Sequence, residues 1–237
     1  MGLLRVGVLA LAACVVALAG AAASAASQKQ AVFRVTLSGT LTKQWTYTDV
    51  GDAGDCVRTV RGSGSTTTKL SMRQPVRIRA SGVGAARVRF SGSLSGIAGS
   101  VVRSGSRRVT MTGDLPCERR TLSDERCSRR KQTFRGASSS LRNPRKGVLQ
   151  LASTRGMRLG RAAACPAEPA DVASIRTDLP LATGPLDVKD VFARDVPRFF
   201  VSGDTTQETA LTGDLEGKVV ERVRWTLVFT RLDRRPS

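Results

Sequence analysis

The chemistry open to this chain is bounded first by a missing residue. It has no histidine, which excludes a Ser-His-Asp triad, a Cys-His dyad and any His-ligated metal. Paired carboxylates would be the remaining route to hydrolysis, and no motif presents them. Ser128-Arg129-Arg130-Lys131 has the Ser-x-x-Lys spacing of some hydrolases, but that arrangement needs a helix, and this stretch is charged and follows a cysteine. Asp49, Asp52 and Asp55 stand three apart in a Gly-containing loop. Calcium loops space their ligands by two and finish on a bidentate Glu, so a polar hairpin loop is expected instead. No motif implies a cofactor.

Arginine is the chemistry that remains. Arg outnumbers Lys 31 to 7, and the net charge is +19. The charge is uneven: residues 27–161 hold 27 basic and 7 acidic side chains, whereas 162–237 hold 10 and 12. A basic surface attracts phosphate-bearing polymers and acidic headgroups. Two constellations are candidates for anion binding. Arg77, Arg79, Arg87 and Arg89 alternate with apolar residues in two mirrored runs, 76–80 and 86–90. A hairpin closed at 81–85 would pair Arg77 with Arg89 and Arg79 with Arg87. Like charges so opposed cost about 0.2–1 kcal/mol per pair, so they require compensation by an anion, by carboxylates or by water. The second constellation is the basic stretch around Cys117 and Cys127, with the Arg119-Arg120 and Arg129-Arg130 pairs and, beside them, Arg126, Lys131 and Arg135. Aromatic residues are almost absent from it, so stacking of nucleic-acid bases is not expected.

Cysteine sets the compartment. Residues 1–26 read as a secretory signal peptide, helical in its apolar part: Arg5, an Ala-rich run, then Ala23-Ser24-Ala25. Leu11-Ala12-Ala13-Cys14 resembles a bacterial lipobox, an alternative in which Cys14 is lipidated. The apolar residues after Cys14 argue for cleavage. Four cysteines then remain, Cys56, Cys117, Cys127 and Cys165. An even number in an exported chain implies two disulfides. Ser123-Asp124-Glu125 looks like a turn between Cys117 and Cys127, so the expected pairs are Cys117 with Cys127 and Cys56 with Cys165.

These side chains must be positioned by strands. From Phe33 to Tyr47 odd positions are mostly apolar and even ones mostly Thr or Ser. That period of two demands a strand with one buried face, with a bend or bulge at Gly39. Val219, Val223, Trp225, Leu227 and Phe229 repeat the pattern at the C-terminus, interrupted by Glu221. Between them, Gly-Ser and Gly-Asp pairs mark off shorter expected strands: 57–60, 66–72, 100–102, 107–111, 132–135, 148–152, 198–201 and 207–212. Five prolines mark 162–197 as a connection, with one helical turn at 186–192. Residues 27–237 are therefore expected to form a single all-β domain, an antiparallel β-sandwich, with a closed up-and-down β-barrel as the alternative.

The reading is of a secreted or cell-envelope protein, non-enzymatic, with no transmembrane span after processing, contacting an anionic envelope polymer or lipid headgroups. A barrel carrying a small apolar ligand and a carboxylate-based hydrolase are the alternatives.

Overall fold

The structure, a computed structural model, describes residues 29–83, 87–114, 117–127, 131–151, 165, 167–170 and 183–233. The signal segment, Cys14, Arg129 and Arg130 lie outside these residues. The strands are β1 (Gln30–Ala53), β2 (Cys56–Met72), β3 (Val76–Val83), β4 (Arg87–Ser91), β5 (Ser93–Thr112) and β6 (Arg120–Cys127). They continue with β7 (Lys131–Arg142), β8 (Val148–Leu151), β9 (Thr183–Pro185), β10 (Arg198–Leu211) and β11 (Glu216–Arg231). One short helix, α1 (Val188–Phe192), falls in the Pro-rich connection where a helical turn was expected, its first turn capped by Asp187.

The fold is all-β and antiparallel, as expected. A single large sheet curls into a half-barrel, in the order β10-β11-β1-β2-β5-β7-β8-β9. Its last strand returns beside its first: a Cβ on Gly203 of β10 would lie 2.7 Å from the Thr183 carbonyl oxygen of β9. β3 takes over from β2 along the edge of β1, pairing Val35 with Val76 where β2 had paired Ser38 with Ser71. β4 and β6 extend the sheet from β3 and β5.

The two terminal alternating segments form the central ladder. β1 and β11 pair without a break from Phe33–Arg231 to Thr48–Glu216. Their inward residues Phe33, Val35, Leu37, Leu227 and Phe229 are buried, and Phe199 of β10 stacks on Phe229 with ring centroids 4.6 Å apart. Each such side chain contributes roughly 1.5–3 kcal/mol through burial. Farther along the same face a second cluster gathers Trp45, Tyr47, Val60, Val109 and Val219. Between the two clusters sit Lys43 and Glu221, opposite each other in the ladder and both buried. Lys43 pairs with Glu168 at 3.4 Å.

Large aromatics sit over glycines of neighbouring strands. Trp225 has Gly39 on one side and Gly203 on the other; Trp45 faces Gly64, and Tyr47 faces Gly62 and Gly217. Phe134 faces Gly99. A Cβ on Gly64 would collide with the Trp45 ring and stand 2.6 Å from the Ser104 carbonyl oxygen. Gly39 is accordingly no bulge: the ladders to β2 and β11 run through it in register. Its role is to admit Trp225, because a Cβ there would meet the Arg224 carbonyl oxygen at 2.8 Å. The same rule corrects the expected strand list. Segments 57–60 and 66–72 are one strand, as are 100–102 with 107–111 and 198–201 with 207–212. The intervening glycines make room for rings and do not turn the chain.

Both expected disulfide pairings are overturned. Cys56 bonds Cys117 and Cys127 bonds Cys165. The apparent turn at 123–125 lies inside β6, whose 8 extended residues carry the chain about 23 Å from Arg120 to Cys127 instead of folding Cys127 back towards Cys117. Cys56 opens β2 and Cys117 follows β5. Those strands pair at Val57–Thr112, which brings the two Cα atoms to 5.6 Å.

The β3–β4 hairpin keeps its expected faces but not its register. Ile78, Ala80 and Val88 are buried and the four arginines are exposed. The pairs are Ala80–Phe90 and Gly82–Val88, with Arg79 opposite Ser91 and Ser81 opposite Arg89. This stagger sets large side chains against small ones and removes both expected Arg–Arg oppositions.

Candidate functional site: a basic groove on the wet face

The Thr- and Ser-rich face of β1 is exposed because the alternation puts every apolar partner on the other side. A twisted sheet is a saddle, so the face opposite the core can be concave along its own diagonal. Here it is. An open groove of about 850 Å³ is lined from six strands, from Ser202 and Asp204 on β10 to Thr133 and Arg135 on β7.

Register explains the lining. One outward row runs Asp204, Arg224, Thr40, Lys69, Ser100 and Thr133, each opposite the next. The adjacent row runs Ser202, Thr226, Ser38 and Ser71, with the Ser202 and Thr226 hydroxyls 3.0 Å apart. Beneath these rows lie Gly39, Gly99 and Gly203, with Leu70, Phe134 and Trp225 between them. The floor is thus backbone committed to the ladders and, above it, hydroxyl groups, which donate and accept hydrogen bonds.

Charge on the rim is one-sided. Lys69, Arg73, Lys131, Arg135 and Arg224 line the groove, against Asp204 as its carboxylate. Arg222 donates to Asp204 from Nη2 at 2.8 Å and from Nε at 3.1 Å, and Arg224 Nε donates at 3.0 Å. Hydrogen bonding from Arg222 is the largest cause that holds the Asp204 carboxyl down at about 2. Among the described residues Lys69, Arg73, Lys131 and Arg135 make no ion pair. Four cations with no ion pair among the described residues, set around a concave, hydroxyl-floored surface, can hold an anion by charge-assisted bonds.

The residues expected from sequence lie elsewhere. Arg77, Arg79, Arg87 and Arg89 occupy the exposed face of β3–β4, without ion pairs among the described residues and outside the groove. Arg77 stands opposite Arg34 of β1. Arg119 and Arg120 are exposed at the start of β6. Among the described residues no carboxylate of the C-terminal third pairs with these arginines, and Asp204 and Glu208 pair with cations of their own hairpin. Asp49 pairs with Arg58 across the β1–β2 hairpin at 3.5 Å. Of the Ser-x-x-Lys spacing, Lys131 opens strand β7, and Ser128, Arg129 and Arg130 lie outside the described residues. The sequence groups Lys131 and Arg135 with the basic stretch around Cys127 but does not join them to Lys69, Arg73 and Arg224, because these cations come from β2, the β2–β3 connection, β7 and β11 and converge only through register.

A separate structural centre holds the residues beside Cys165. The Cys127–Cys165 bond, the Lys43–Glu168 ion pair and a Tyr47 hydroxyl donating to the Ala167 carbonyl at 3.2 Å fix this segment over the second apolar cluster. Burial pushes the Tyr47 phenol up. Among the described residues no helix is long and apolar enough to cross a membrane. The two disulfides fit an oxidising, extracellular environment. Comparison with known proteins finds no family model that matches the chain and no matching curated protein.

Proposed function

We propose that this chain is an exported, non-enzymatic β-protein that binds an anionic polymer of its surroundings through the wet-face groove. The observation that carries this reading is the cation set Lys69, Arg73, Lys131 and Arg135, unpaired among the described residues, around a concave floor of hydroxyls. Isolated surface cations carry little meaning, but convergence from separate strands onto one hollow is costly by self-repulsion and is relieved by an anion. A carboxylate hydrolase is less well supported, since it needs two acids across the scissile bond. The groove offers Asp204, already held by two guanidiniums, while the half-buried Glu168 and the buried Glu221 stand beside Lys43.

The test is binding of dextran sulfate, inorganic polyphosphate and anionic liposomes at low and moderate salt. Binding at low salt that weakens as the Debye length falls from about 30 Å to about 8 Å is expected. Absence of binding to all three at low salt would sink the proposal.

A further inference from the structure

Beyond the groove, the same outward face carries two more cross-strand rows. The next one is Phe200, Val228 and Thr36; the one after it is Arg198, Thr230, Arg34 and Arg77. Successive outward rows are about 6.6 Å apart along a strand. The face therefore alternates: a charged, hydroxyl-lined groove, then an apolar band, then a row of three arginines roughly 13 Å beyond the Ser202–Ser71 row. Phe200 is 60% exposed, which is unusual for a phenylalanine in a chain whose other described phenylalanines are mostly buried. Arg198 rests over its ring at 4.9 Å and holds it in place. Nothing in the core requires Phe200, because Phe199 is the residue of this strand that joins the Phe33–Phe229 cluster.

We infer that the anionic polymer is a polysaccharide, lying from the groove across Phe200 to the Arg34–Arg77–Arg198 row. This rests on the groove reading above and names the class of ligand for it. A densely charged chain such as polyphosphate would set anions along the whole band, over the uncharged Val228 and Thr36 as well as beside Arg198 at Phe200, and partial desolvation of those anions is costly. A sugar ring offers apolar C–H faces for the aromatic ring and hydroxyls for Thr36 and the Ser–Thr row. Its acidic groups recur at intervals, which matches cations set apart by an apolar band. Arginine suits the carboxylates or sulfates of such a chain because its fork binds planar and trigonal oxygens bidentately.

The experiment uses the processed full-length protein and two probes, hyaluronan oligosaccharides of graded length and inorganic polyphosphate. Wild-type protein is expected to bind long hyaluronan fragments about tenfold more tightly than a tetrasaccharide, because only the long ones span groove and arginine row. Phe200→Ala and Phe200→Leu are each expected to weaken hyaluronan binding about five- to tenfold and to leave polyphosphate binding unchanged. The double variant Arg34→Gln/Arg77→Gln is expected to abolish the length dependence. Equal losses for both probes in the Phe200 variants, or no loss in either, would overturn the inference. Binding of polyphosphate without hyaluronan would overturn it too while leaving the groove as an anion site. Failure of both probes at low salt, with dextran sulfate and anionic liposomes failing as well, would remove the groove reading with it.

Discussion

One added methyl group at Gly64 is expected to destabilise the protein, whereas the same change at Gly51 is not. Both glycines lie on the β1–β2 hairpin and neither has a left-handed backbone. At Gly64 a Cβ would collide with Trp45 Cζ2 and approach the Ser104 carbonyl oxygen to 2.6 Å; at Gly51 it would meet nothing within 4 Å. Trp45 is 2% exposed and cannot swing out, and Ser104 is held in the β2–β5 ladder by its neighbours. Overpacking of this kind costs about 1–3 kcal/mol, while the reduced freedom of the unfolded chain returns about 0.4–1 kcal/mol at either position. Gly64→Ala should therefore lose on the order of 1–2 kcal/mol, a fall in Tm of about 2–8 °C for a chain of this size. Gly51→Ala should be unchanged or slightly more stable. Urea unfolding followed by far-ultraviolet circular dichroism measures both. Adding Trp45→Leu to Gly64→Ala should recover at least part of the loss, giving a coupling well outside the ~0.5 kcal/mol scatter of independent sites. If both alanine variants unfold alike, or if Trp45→Leu restores nothing, the aromatic-over-glycine account is wrong.

Arg231 should be a second point of sensitivity. Its side chain is 1% exposed and donates to the carbonyls of Val191 at 2.6 Å, Val196 at 3.4 Å and Asp190 at 3.5 Å, tying α1 to the sheet. Arg231→Met leaves these carbonyls without their donor and should cost on the order of 3 kcal/mol, with Arg231→Lys recovering less than half for want of the fork; equal stability of all three proteins in urea would contradict this. Tyr47 is the sole tyrosine, so tyrosinate absorbance reads it alone. Because its folded value is raised, its contribution is whole below the ordinary phenol range near 10 and is lost as pH rises through the folded value; a midpoint at or below that of the urea-unfolded chain would refute the buried hydroxyl. The groove carboxylate shows the opposite sign. Asp204 is held down to about 2, so its pairing with Arg222 and Arg224 persists until acid passes through that value. Dextran sulfate binding should accordingly stay flat from about pH 4 to 9, and a step within that window would contradict the assignment.

The two ends of the chain were readable because their information is local. Alternation from Phe33 to Tyr47 and from Val219 to Phe229 states which face is buried, and the structure pairs those two segments directly. What misled was glycine. Gly62-Ser63-Gly64-Ser65 has the composition of a turn, yet it is the middle of a 17-residue strand, and only its partner across the ladder explains it. The cysteines misled for a related reason: Ser123-Asp124-Glu125 resembles a turn until β5 pairs with it. The groove was illegible because Lys69, Arg135 and Arg224 are separated by most of the chain and share a hollow only through the register of six strands. Phe200 was illegible for a simpler reason: nothing local says which of Phe199 and Phe200 faces the core.

The most direct test compares wild-type protein with Lys69→Gln/Arg73→Gln/Arg135→Gln for dextran sulfate binding at low salt, with Arg87→Gln/Arg119→Gln/Arg120→Gln as a variant of equal charge loss away from the groove. Loss of at least tenfold in affinity in the first variant and less than threefold in the second is the expected result. Equal losses would mean that overall charge, and not the groove, attracts the polymer, and would contradict the account.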